Sequence, residues 1–104
     1  YILDDHSIYA RGLKHLLVSN QISETIRIFT KYKTLLDAIE SSEPGLVIVD
    51  QILNEKSGIE ILVTIKKKYP EIKAILISSS KDKSLTEICK SNDIEGYLYK
   101  SESD

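Results

Sequence analysis

Short apolar runs alternate with amphipathic stretches along this chain. Leu46-Val47-Ile48-Val49 and Ala74-Ile75-Leu76-Ile77 are apolar without a break, as strands buried on both faces require. Tyr1-Ile2-Leu3 and Tyr97-Leu98-Tyr99 are shorter runs of the same kind. Residues 25–29, Thr-Ile-Arg-Ile-Phe, carry a charge and partly alternate, which suits an edge strand. The intervening stretches have helical period. Tyr9, Leu13, Leu16 and Leu17 recur on one face. Leu35, Ala38 and Ile39 follow Thr34, a candidate N-cap. Leu62, Ile65 and Tyr69 precede Pro70, which ends the helix. Leu85, Ile88 and Cys89 mark the last one, with Asp82 or Ser84 placed to cap it. The order β-α-β-α-β-α-β-α-β demands parallel crossovers and predicts one doubly wound α/β domain in three layers.

Composition narrows the class. The chain has 104 residues, enough for one modest core. Hydrophobic residues at 41% and charged residues at 29% suit a globular domain rather than a disordered chain. A net charge of −2 argues against a dedicated nucleic-acid module, and no apolar run approaches the length of a membrane helix. The single cysteine, Cys89, excludes a disulfide scaffold or a cysteine zinc cage. A cytoplasmic domain spanning residues 1–104, cut short at both ends, is the expectation.

The polar residues that end the strands carry the chemistry. Asp4-Asp5 close the first, Asp50 the third, Ser78-Ser79-Ser80 the fourth and Lys100 the fifth. In an open parallel sheet these carboxyl ends line the ligand crevice. Carboxylates gathered there repel, by about 4 kcal/mol for a pair 4 Å apart at an effective dielectric near 20. A hard cation between the oxygens relieves this, and Mg²⁺ takes one or two carboxylates plus waters and a phosphoryl oxygen. Lys100 offers a charge for phosphate and Ser78 a hydroxyl. The set points to a carboxylate that accepts a phosphoryl group beside a metal.

Each feature has a plainer reading when taken alone. Asp4-Asp5 suits a helix start, Ser78-Ser79-Ser80 a polar turn, and Lys100 a solvated surface. Tyr97 reads as a half-buried edge-strand aromatic, and His6 and His15 as surface or cap residues. Cys89 reads as an inert buried thiol and Lys66-Lys67-Lys68 as a solvated helix end.

Taken together, Asp4-Asp5, the strand-loop ending in Asp50, Ser57-Gly58, Ile77-Ser78-Ser79 and Gly96-Tyr97-Leu98-Tyr99-Lys100 resemble the receiver domains of two-component response regulators. The resemblance covers essentially the whole chain. Asp4-Asp5-His6-Ser7 with Arg11-Gly12-Leu13 and Leu16-Leu17 is similar to the LuxR/NarL-type subfamily, whose receivers precede a helix-turn-helix. The resemblance implies a flavodoxin-like sheet of order 2-1-3-4-5 and a phosphoryl group passed from a sensor histidine kinase to Asp50. It implies Mg²⁺ held by Asp5, Asp50 and the Ile52 carbonyl, with Asp4 acting through water. Ser78, Lys100 and the backbone N–H of Ser79 would hold the phosphoryl oxygens, and Ser78 with Tyr97 would form the switch. It implies a homodimer formed on phosphorylation, and DNA contact only through an effector domain outside this chain. No enzymatic turnover is expected beyond slow autodephosphorylation.

This chain departs from the family where Asn54 and Ser101 replace prolines, and where a fifth helix is absent. Without that helix, apolar side chains of the third, fourth and fifth strands are expected to meet water. Three other functions compete. An aspartyl-phosphate phosphatase or mutase would need a second acid where Ile52 stands. A degenerate receiver acting only through protein contacts would not need the intact acidic, hydroxyl and lysine set. A flavodoxin-like carrier lacks its phosphate loop after the first strand.

Overall fold

The computed structural model describes residues 1–4, 12–15, 26–51, 53, 56–78 and 83–99. Five parallel strands, β1 (Ile2–Leu3), β2 (Ile28–Phe29), β3 (Leu46–Asp50), β4 (Lys73–Ser78) and β5 (Gly96–Tyr99), form one sheet in the order β2-β1-β3-β4-β5. The apolar runs thus became the central strands, and the charged run at 25–29 supplied an edge. Residues 12–15 are helical and belong to α1. The other helices are α2 (Tyr32–Ser41), α3 (Gly58–Lys68) and α4 (Lys83–Ser91).

Strand alternation sorts the core into two layers. Leu3, Phe29, Val47, Val49, Ala74 and Leu76 face one side, where they pack with Leu35, Ala38 and Ile39 of α2, Ile61, Leu62 and Ile65 of α3, and Cys89 of α4. Ile2, Ile48 and Ile77 face the other, beside Leu13 of α1. Burying each such side chain is typically worth about 1.5–3 kcal/mol. On this second side the expected contact with water is confined largely to β5. Ile48 and Ile77 are buried, Leu46 and Ile75 half-buried, and Leu98 is 45% exposed.

Three local expectations need correction. The helix after β2 begins at Tyr32, so its N-cap is Lys31, which makes no side-chain cap bond, and not Thr34. Tyr32 instead packs on the core, with the Lys56 ammonium 5.3 Å from its ring centroid. In α4, Leu85 and Cys89 are buried but Ile88 is 40% exposed. At about 100° per residue, Ile88 lies some 80° from the line through the other two, on the helix flank. Ser84 falls inside α4, and Asp82, the other candidate cap, lies outside the described residues.

The third correction concerns Lys66. Rather than a solvated end of α3, its side chain is only 10% exposed. Its ammonium donates to Glu95 Oε2 at 2.7 Å and to the Ile72 carbonyl at 3.0 Å. Glu95 Oε1 accepts from the Ala74 N–H at 2.7 Å, and the Glu95 N–H returns a bond to the Ala74 carbonyl. One ion pair therefore pins the end of α3 to the starts of β4 and β5. Partial desolvation pushes the Glu95 carboxyl up, but its bonds from Lys66 and Ala74 outweigh this and hold its pKa below the ordinary value. A depressed carboxylate stabilises above its unfolded pKa, and that contribution is lost as pH falls through the folded value. Lys66→Met should cost about 1–2 kcal/mol. Glu95→Gln should flatten the acid side of a melting-temperature profile. A wild-type slope retained in that variant would assign the acid sensitivity to other groups.

Candidate functional site

The strand ends place the described site residues in a row. The β1–β3 register pairs Leu3 with Val49, so the next step sets Asp4 beside Asp50. Asp50 pairs with Ile77, and Ser78 ends β4 one residue later. All three are deeply buried, at 2%, 4% and 1% exposure for Asp4, Asp50 and Ser78. The Asp4 N–H donates to the Phe29 carbonyl at 3.0 Å, which extends the β1–β2 ladder up to the acid. Asp5, Ile52, Ser79 and Lys100 lie outside the described residues, as do His6, Asn54 and Ser101.

Buried carboxylates on neighbouring strands are costly unless partnered. Among the described residues, no buried side-chain polar atom lacks a hydrogen-bond partner. The same residues contain no group of three or more His, Cys, Asp or Glu side chains placed to hold a metal. Two adjacent hard-oxygen donors nonetheless suit Mg²⁺, which needs no more from protein side chains.

Tyr97 pairs with Leu76 in the β4–β5 ladder, and Tyr99 with Ser78. By strand alternation Tyr97 shares a side of the sheet with Leu76 and Ser78. It is half-buried against the larger core layer. Position alone thus suits both an edge aromatic and a side chain coupled to Ser78. His15 is exposed. Cys89 is buried, and desolvation raises its thiol pKa, so it carries little thiolate.

The helix α3 begins eight residues after Asp50, at Gly58. Ser57 caps that helix, its Oγ accepting from the Glu60 N–H at 3.4 Å. Gly58 sits against the end of β3 so closely that an added Cβ would lie 2.2 Å from the Asp50 carbonyl oxygen. Gln51 was not singled out by sequence. Its N–H donates to the Ile77 carbonyl at 2.7 Å, its carbonyl accepts from Gly58 at 2.9 Å, and its Oε1 accepts from Ile59 at 2.9 Å. The only sequence signal was an amide set directly between Asp50 and the apolar pair Ile52-Leu53.

A model of the response regulator receiver domain matches residues 1–104. The DNA-binding transcriptional activator EvgA of Escherichia coli K12 is 27% identical over 101 residues, covering 97% of this chain and 49% of that protein. The chain spans about half the length of the curated relatives it matches. Among solved structures, a LuxR-family DNA-binding response regulator from Staphylococcus aureus superimposes with a TM-score of 0.82 at 24% identity, covering 94% of this chain and 82% of that one. The isolated receiver domain of RcsB from Salmonella enterica serovar Typhimurium, determined with the phosphomimetic BeF3⁻, gives 0.86 at 22% identity, covering 95% and 74%.

Proposed function

This chain belongs to the response regulator receiver domain family, and we propose that within it Asp50 accepts a phosphoryl group from a sensor histidine kinase. The observation that carries this is a buried carboxylate at the end of the central strand, with Asp4 on one neighbouring strand and Ser78 on the other. A carboxylate oxygen of Asp50 attacks phosphorus as the phosphorus–nitrogen bond of the kinase phosphohistidine breaks. Ser78 and Lys100 then hold phosphoryl oxygens, with the Ser79 N–H assisting. Asp5, Asp50 and the Ile52 carbonyl would hold Mg²⁺ directly and Asp4 through water; when bound, the ion neutralises charge shared with the phosphoryl group. A receiver of the same fold, that of RcsB, was determined in the presence of the phosphomimetic BeF3⁻, in keeping with phosphoryl acceptance by this family.

The domain does not turn over substrates beyond slow autodephosphorylation. Its output, by the pattern of relatives named as DNA-binding regulators, is transcriptional control by an attached domain in the cytoplasm, with homodimerisation on phosphorylation. Among the described residues, no helix is long and apolar enough to cross a membrane.

The test is incubation with a small phosphodonor and Mg²⁺, read by intact mass. One added phosphoryl group is expected, and none without the metal. An unmodified mass under conditions that modify an authentic receiver would reject the acceptor role. The metal roles differ too. Asp5→Ala should weaken Mg²⁺ binding by about tenfold or more, and Asp4→Ala by less, since a direct ligand contributes more than one acting through water. Equal losses in a metal titration would reverse that assignment.

A further inference from the structure

We propose that Gln51 is a positioning residue for phosphoryl acceptance, a role that rests on Asp50 being the acceptor. Its backbone N–H, backbone carbonyl and side-chain Oε1 are each hydrogen-bonded, one of them to β4 and two to α3. The backbone N–H continues the β3–β4 ladder one rung past Asp50, to the Ile77 carbonyl next to Ser78. The backbone carbonyl and side-chain Oε1 take the Gly58 and Ile59 amides of the first turn of α3. Those amides need partners, because the first N–H groups of a helix have none within it.

An ordinary cap would lie next to the helix, as Ser57 does for Glu60. Gln51 reaches the same turn from seven residues upstream and adjoins the acceptor. It therefore locks the end of β3 between β4 and α3, while Gly58 lets the helix backbone close on the Asp50 carbonyl. Phosphoryl transfer depends on placement, and a displacement of about 1 Å can cost about a hundredfold in rate. The Ile59 bond is only partly buried, so losing it should shift the acceptor by a fraction of that.

Gln51→Met keeps the length of the side chain and removes its acceptor oxygen. Ser57→Ala removes a cap from the same helix end without touching the acceptor strand. Gln51→Met is expected to slow incorporation from a small phosphodonor at saturating Mg²⁺ by about tenfold, and Ser57→Ala by less than about twofold, at similar losses of melting temperature. In the unphosphorylated protein, Gln51→Met should also move the backbone amide resonance of Ser78, across the sheet on β4, whereas Ser57→Ala should not. Rates that fall equally in the two variants, or an unmoved Ser78 resonance in Gln51→Met, would overturn the positioning role. A wild-type chain that takes no phosphoryl group would reject the acceptor role of Asp50, and the Ser78 amide resonance would still decide whether Gln51 tethers that strand end.

Discussion

Replacing Asp50 by Asn is expected to abolish phosphoryl incorporation while leaving the fold intact. The amide has no anionic oxygen to attack phosphorus, and no other carboxylate among the described residues ends the central strand. Asp50 and Asp4 are both buried at adjacent strand ends. Neutralising one of two like charges there should hold stability constant or raise it by about 1–2 kcal/mol. Intact mass reads the first outcome and urea unfolding the second. The Tyr97 ring signal, expected to respond when a phosphoryl mimic draws Ser78 toward the site, should become insensitive to that mimic in Asp50→Asn. Undiminished phosphorylation of the mutant would place the acceptor elsewhere. A Tyr97 signal that never responds in the wild type would uncouple it from Ser78.

The largest stability effect is expected at Gly58. An added methyl group would lie 2.2 Å from the Asp50 carbonyl oxygen, 2.8 Å from its carbon and 2.9 Å from the Gln51 Cα. These are backbone atoms of a central strand and cannot swing aside like the end of a long side chain. The first turn of α3 must retreat instead, stretching the Gly58 and Ile59 bonds to Gln51. Overpacking of this kind costs about 1–3 kcal/mol, and the rigid partners place Gly58→Ala near the upper end. For a domain of this size, about 3 kcal/mol lowers the melting temperature by about 12–24 °C. Gly45→Ala is the control, because its Cβ would meet nothing within 4 Å. Melting curves in which the two variants differ by less than a few degrees would show that the α3 contact is not tight in solution.

Much of the architecture was legible before any coordinates. Apolar runs and helical periods report the preferred environment of each segment, and strands separated by helices have few ways to pair. The acids and the serine at the strand ends were legible for the same reason, since a polar residue closing an apolar run must sit at a sheet edge. The pattern also identified Leu35, Ala38 and Ile39 as a buried face, and the structure buries all three.

Other features depended on partners distant in sequence. Lys66 looked solvated because its run of lysines reads as a helix end, but its partner Glu95 is 29 residues away. Ile88 matched the apolar stripe of its helix, yet the roll of α4 on the sheet left it on the flank. Thr34 had the chemistry of a cap, but packing of Tyr32 set the start of the helix earlier. Gly58 could be seen in the sequence, whereas the Asp50 carbonyl that forbids a side chain there could not. Periodicity records which face of an element is apolar. It carries no information about which atoms of another element will meet that face, and only the packing of β3, β4 and α3 brought Gln51 between them.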